Sequence, residues 1–257
     1  MRTTRATTRL FVAAFGAFAL IATACGDDDD AGDTTTSVAA AETTTAGVDT
    51  TAAATETTVA VTEPAAVYDG ELVGLFSIDA GACADGAITG SYFQMVQPGG
   101  TPEAGPFIAN ADSLCADTNY SLLTVGTDGG LMTSVWQAAP EPAFDAAGAG
   151  LAAAIVAPVA FFGGAFAVAT DPAEAAPSIS AADGTLTADL SAFTAYWGTG
   201  IFNQGAPKPD GAGTAPTGTI DPTTGAYVLE WTSLISGGSF DGFTGVWHLE
   251  GTFTAGG

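Results

Sequence analysis

Tyr227-Val228-Leu229-Glu230-Trp231-Thr232, followed across a glycine-rich stretch by Val246-Trp247-His248-Leu249-Glu250-Gly251-Thr252-Phe253, decides the fold class of this chain. Both segments alternate with period two. Tyr227, Leu229 and Trp231 share one face, with Val228, Glu230 and Thr232 opposite; Trp247, Leu249, Gly251 and Phe253 oppose Val246, His248, Glu250 and Thr252. Successive side chains of a strand point to opposite sides, so this pattern marks strands with one face in a core. Leu186–Leu190 and Phe193–Trp197 repeat it, and strand-like runs occur at Glu71–Ile78, Ile88–Val96 and Tyr120–Val125. Turn signals punctuate them: Asp128-Gly129-Gly130, Asp183-Gly184, Asp210-Gly211, Asp221–Gly225 and Asp241-Gly242. Such dipeptides supply the positive φ angles that tight hairpins need. The sequence predicts an all-β domain over Val67–Gly257, an antiparallel sandwich or barrel of many short strands.

One stretch competes with that picture. Ala146–Thr170 carries no charge over 25 residues, long enough on hydropathy alone for a membrane span. Pro158 lies near its middle, and Gly148, Gly150, Gly163 and Gly164 interrupt it. Phe166 and Val168 alternate with alanines, so the expectation is two buried strands, or one strand with a short helix.

The charge balance excludes whole classes of function. The chain holds 28 Asp and Glu against 4 Lys and Arg, for a formal net charge of -24. Three of the four cations, Arg2, Arg5 and Arg9, precede the first acid, so Lys208 is the only cation from Cys25 onward. Nucleic-acid affinity rests on clustered Lys and Arg, so a nucleic-acid partner is not expected. His248 is the only histidine, which leaves no multi-histidine metal site and no zinc site once two cysteines pair. No metal and no cofactor is expected. The 47% hydrophobic content is ample for a core.

The first residues read as an address. Met1–Arg9 carries three arginines, Leu10–Ala24 is an uncharged apolar run, and Ile21-Ala22-Thr23-Ala24-Cys25 closes it. The run has the length of a signal-peptide core. Its end resembles the lipobox of bacterial lipoproteins, in which small residues precede a cysteine that becomes the lipidated N-terminus. The family usually has Leu three residues before that cysteine; here Ala22 stands there, with Ile21 one earlier. Ala22-Thr23-Ala24 also suits an ordinary secretory cleavage. Parity favours lipidation, because only Cys83 and Cys115 remain and one disulfide then leaves no orphan sulfur. The resemblance implies a signal peptide over residues 1–24, lipidation at Cys25, and anchorage to the outer face of a cell membrane.

Cys25–Ala66 then reads as a disordered tether. Gly26–Ala66 contains 12 Thr, 11 Ala and nine acids, with no aromatic residue and no cation. Such a segment cannot bury enough apolar surface to offset its chain entropy.

The chemistry-bearing residues of the domain are few. Cys83 and Cys115, in an exported chain, are expected to form a disulfide. A catalytic cysteine would need a base, and the only histidine is distant in sequence. No Gly-x-Ser-x-Gly motif is present, and Gly198-Thr199-Gly200 lacks the third glycine of a dinucleotide loop. His248 and Glu250 share an outward strand face, and the plain reading of His248 is a solvent-facing side chain on an acidic sheet. Glu230 and Glu250 could supply a glycosidase-type carboxylate pair. Tyr196, by alternation, points away from the face holding Phe193 and Trp197, and Phe202 follows in a glycine-rich turn. Tyr196, Phe202, His248 and Glu250 are therefore the candidate ligand contacts, with no catalytic residue assigned. Trp231, Trp247 and Tyr227 fit the core.

Tyr227–Trp231 followed by Gly237-Gly238-Ser239-Phe240-Asp241-Gly242-Phe243-Thr244-Gly245-Val246-Trp247, with Phe202-Asn203-Gln204-Gly205 before them, resembles the C-terminal region of uncharacterised exported proteins of actinobacterial type. That resemblance implies export and no known activity. The leading expectation is a non-catalytic surface lipoprotein that binds a carbohydrate, an apolar small molecule or an envelope protein. A structural envelope module and a carbohydrate-active enzyme are the competing readings. An aromatic-lined pocket with few carboxylates separates the first from both.

Overall fold

The computed structural model describes residues 67–208 and 212–256. The expected signal peptide, the expected lipidation site Cys25, the expected tether and the expected Asp210-Gly211 turn lie outside the described residues.

Two long neighbouring strands organise the domain. β16 (Ala226–Leu234) and β17 (Thr244–Ala255) pair antiparallel, with Leu229 opposite Leu249 and Trp231 opposite Trp247. The alternation read from the sequence therefore puts both apolar faces on the same side of one sheet. Tyr227, Leu229, Trp231, Trp247, Leu249 and Phe253 are all buried. Gly251 interrupts this apolar row for a steric reason: a Cβ there would lie 1.8 Å from the Ser77 carbonyl oxygen. That same oxygen accepts a hydrogen bond from the Tyr227 hydroxyl at 2.8 Å.

The sheet extends from β16 through β15 (Gly213–Ile220), β12 (Thr185–Asp189) and β11 (Ser178–Ala182) to β1 (Gly70–Glu71). Beyond β17 it forks. Its N-terminal half pairs β5 (Tyr92–Thr101), which carries β6 (Gly105–Phe107) and β7 (Ser121–Leu122). Its C-terminal end pairs β2 (Gly74–Ser77), which carries β8 (Gly130–Met132). A second sheet runs in the order β14 (Gly200–Asn203), β13 (Phe193–Trp197), β10 (Gly164–Thr170), β9 (Val159–Phe161). All pairings are antiparallel. The protein is thus all-β, two curled antiparallel sheets around one main core.

Aromatic rings join the sheets. Phe193 of β13 meets Trp231 and Trp247 edge-on at 5.1 and 4.9 Å, and Phe166 of β10 meets Phe93 of β5 at 5.5 Å. Offset and edge-on ring pairs of this kind add to the stabilisation from area burial.

The second half of the uncharged stretch Ala146–Thr170 forms β9 and β10, joined by Phe162-Gly163, while residues 146–158 are irregular apart from single bridges at Gly150 and Val156. The stretch contains no helix, so of the two expectations the two-strand one holds in part: β10 is buried over its second half, whereas β9 buries only Phe161. Among the described residues no helix is long and apolar enough to cross a membrane. The only helical turn among them is a three-residue 3-10 segment, Gly238–Phe240.

Candidate functional site

Three places carry chemistry, and each is assembled from strands distant in sequence. The first lies on the outward face of the large sheet. Register places Glu230 of β16 opposite His248 of β17, and Glu250 follows two residues along the same face. His248 Nδ1 lies 2.7 Å from a Glu230 carboxylate oxygen and Nε2 lies 2.8 Å from one of Glu250. Carboxylates only accept, so both contacts are donor–acceptor pairs when the imidazole carries both protons. Glu250 also accepts the Gly90 backbone N–H at 3.1 Å.

Tyr92, at the start of β5, lies flat against His248, with ring centroids 4.5 Å apart and planes inclined by 7°. It buries the imidazole, which retains 12% of its side-chain exposure. The expectation of a solvent-facing histidine is therefore corrected: β5 pairs with β17 and brings Tyr92 opposite His248. Burial pushes the Tyr92 phenol up to about 12, with further upward contributions from Glu230, Tyr120 and Glu250. Glu230 and Glu250, the two carboxylates of the competing glycosidase reading, are both engaged with the one imidazole.

The second place is an aromatic slot between the sheets. Phe93, Met95 and Trp247 form the wall on the large sheet; Phe161, Phe166, Ala195, Trp197 and Phe202 form the wall on the small one. The slot holds about 40 Å³ of free interior within a concavity of about 400 Å³. Phe240, in the 3-10 turn, caps it and meets the rings of Phe161, Phe162, Trp197 and Phe243 at 5.3–5.8 Å. Gln204 is the only polar side chain in the lining, and its Oε1 accepts from Trp247 Nε1 at 3.3 Å. No carboxylate lines the slot.

The third is the Cys83–Cys115 disulfide, present as expected. It ties the separate two-stranded hairpin of β3 (Ala82–Ala84) and β4 (Ala87–Thr89) to the segment preceding Tyr120.

Of the candidate contacts, Phe202 lines the slot, while His248 and Glu250 are neighbours on the opposite side of the sheet. Tyr196 joins neither group. It is buried in a small cluster with Ala152, Ala167 and Ala169, with Phe144 5.8 Å away. Sequence reasoning missed Tyr92, because nothing local shows that β5 pairs with β17. It also missed Phe240, for which a signal existed: a phenylalanine isolated between glycines in Gly237-Gly238-Ser239-Phe240-Asp241-Gly242.

The fold and these sites define an all-β, disulfide-clasped, two-sheet protein with an aromatic interior slot. Comparison with known families, curated proteins and solved structures yields no match for this chain.

Proposed function

We propose that this protein is a non-catalytic binding module, exported and held at the outer face of the cell membrane through a lipidated Cys25, which takes the apolar part of a ligand into the slot between its sheets. The slot itself carries the proposal. An aromatic concavity without carboxylates suits an apolar guest and offers no acid or base for bond cleavage. Its narrow interior fits the edge of a ring or the end of an acyl chain. The arginine-led apolar N-terminus and the disulfide both support an oxidising compartment outside the cytoplasm. A paired-carboxylate hydrolase has less support, because Glu230 and Glu250 hold His248 instead of facing a groove.

The test uses the neutral apolar dye N-phenyl-1-naphthylamine. The wild-type chain should bind it with a rise in fluorescence. Ala195→Met, which fills the slot from β13, should weaken binding by about tenfold or more. Equal binding by both forms, or none by either, would return the protein to the structural-module reading. For the anchor, Cys25→Ala should release the folded chain into the medium. Equal membrane retention of the two forms would defeat the lipoprotein reading.

A further inference from the structure

A second concavity lies on the outer side of the large sheet, away from the aromatic slot, and its chemistry is different. The β3–β4 hairpin forms one wall, with Asp85 and Ile88; the segment carrying Leu114 and Asp117 forms the other; Tyr92 and Tyr120 line it between them. The disulfide Cys83–Cys115 spans from wall to wall. Its free interior is about 400 Å³, within the range of small-molecule sites, about 300–1,000 Å³.

We propose that this cleft binds a small organic cation, an alkylated or quaternary ammonium head group, against the Tyr92–Tyr120 corner.

The two rings meet edge-on, with centroids 5.0 Å apart and planes at 80°. Two faces set at such an angle form two sides of an aromatic cage, and a cation within about 6 Å of a ring centre is attracted by its quadrupole. The field in the cleft has one sign. Asp85 and Asp117 lie in opposite walls, and Glu230 and Glu250 stand behind Tyr92. Even with both protons on His248, its two carboxylates leave that group net negative. Burial is the main cause of the raised Tyr92 phenol, and Glu230 and Glu250 add to it, in keeping with a negative potential at the lining.

Among the described residues no Lys or Arg lines this cleft. Lys208 is the only Lys or Arg among the described residues, and its Nζ donates to the Leu234 carbonyl oxygen; neither residue lines the cleft. Charge complementarity therefore has to come from the guest. A metal ion is a poor candidate, because no three His, Cys, Asp or Glu side chains among the described residues converge as ligands. Ile88 and the 90% exposed Leu114 instead offer apolar contact to the methyl groups of an alkylated ammonium.

The experiment compares choline with 3,3-dimethyl-1-butanol, its uncharged isostere, by saturation-transfer NMR on the full chain. Choline should bind, and the isostere about tenfold more weakly or not at all. Tyr120→Leu should weaken choline about fivefold, as should Asp85→Asn combined with Asp117→Asn, with the thermal midpoint and the dye binding of the slot unchanged. Equal affinity for choline and the alcohol would overturn the proposal, as would choline binding insensitive to Tyr120→Leu, or no choline binding at millimolar concentration. Because the dye reports on the slot and choline on the cleft, the failure of either leaves the other standing.

Discussion

Tyr227 shows how one side chain ties the sheet together and makes it sensitive to alkali. Its ring packs edge-on against Phe76 at 5.0 Å and its hydroxyl donates to the Ser77 carbonyl, so β16 is bonded to the end of β2 through a side chain. Burial pushes this phenol far above its ordinary value, with Asp79 adding to the shift. The folded state therefore favours the neutral form. The stability that depends on neutral Tyr227 is complete below pH 10, the ordinary phenol value, and is lost as pH rises above it. Tyr92, raised to about 12 mainly by burial, adds to the loss between pH 10 and 12. Urea midpoints at pH 8, 10 and 11 should fall only over the last interval. Tyr227→Phe should cost about 1 kcal/mol at pH 8 through its lost hydrogen bond, yet decline less steeply above pH 10. Parallel declines in the two proteins would sink this account. The aromatic and apolar identity of Tyr227 was legible from its place in an alternating run. Its partner was not, because Ser77 lies 150 residues away in sequence.

Among the elements, the hairpins divide into those the sequence announces and those it hides. Asp85-Gly86 and Asp183-Gly184 link β3 to β4 and β11 to β12, with positive φ at both residues of each pair. Asp and Gly tolerate that conformation, so Asp-Gly between alternating runs is a reliable turn signal. Phe162-Gly163 and Gly198-Thr199 make the same kind of connection with φ of 50° and 64° at Phe162 and Thr199. A bulky or β-branched residue rarely sits there, so local propensity argues against those turns and packing imposes them. Phe162 is held by ring contacts with Phe161 and Phe240. The β3–β4 hairpin depends on a covalent tie instead. A two-stranded ribbon is marginal alone, and the disulfide closes a sequence separation of 32 residues. Replacing both cysteines by alanine should destabilise the domain by about 3–4 kcal/mol in the chain-entropy view. Amides of β3 and β4 should then exchange far faster with solvent, while those of β16 and β17 remain the slowest. Unchanged exchange in the hairpin would show that its wall of the cleft stands without the disulfide.

At the scale of the whole molecule, charge opposes compaction. From Val67 onward 19 carboxylates face Lys208 alone. His248 draws Glu230 and Glu250 together, but most of the acids are spread over exposed turns and strand ends. Self-repulsion of this kind is weakened by salt, since the Debye length falls from about 30 Å at 0.01 M to about 3 Å at 1 M. The thermal midpoint should rise steadily with NaCl across that range. Micromolar calcium added in high salt should change it little, as no ligand cluster for a metal exists among the described residues. A flat response to NaCl with a large response to calcium would contradict the repulsion account.

The sequence alone determined the alternating strands, β16 and β17 above all, several of the turns, which faces of those strands are apolar, the acidic field and the pairing of Cys83 with Cys115. All of these follow from local periodicity, turn chemistry, composition or parity. The sequence left β11, β14 and β15 unread. Only the tertiary structure decided that β5 and β2 share the two halves of one edge of β17. From that pairing come Tyr92 over His248, the cleft beside it and the Phe93–Met95 wall of the slot. Phe202 and Phe240 were visible as aromatics near glycines, but only the packing of one sheet on the other made them the rim of a cavity. The physical reason is that alternation specifies which way a side chain points. It carries no information about which distant strand will lie beside it, and sites in an antiparallel two-sheet fold are built from those long-range neighbours.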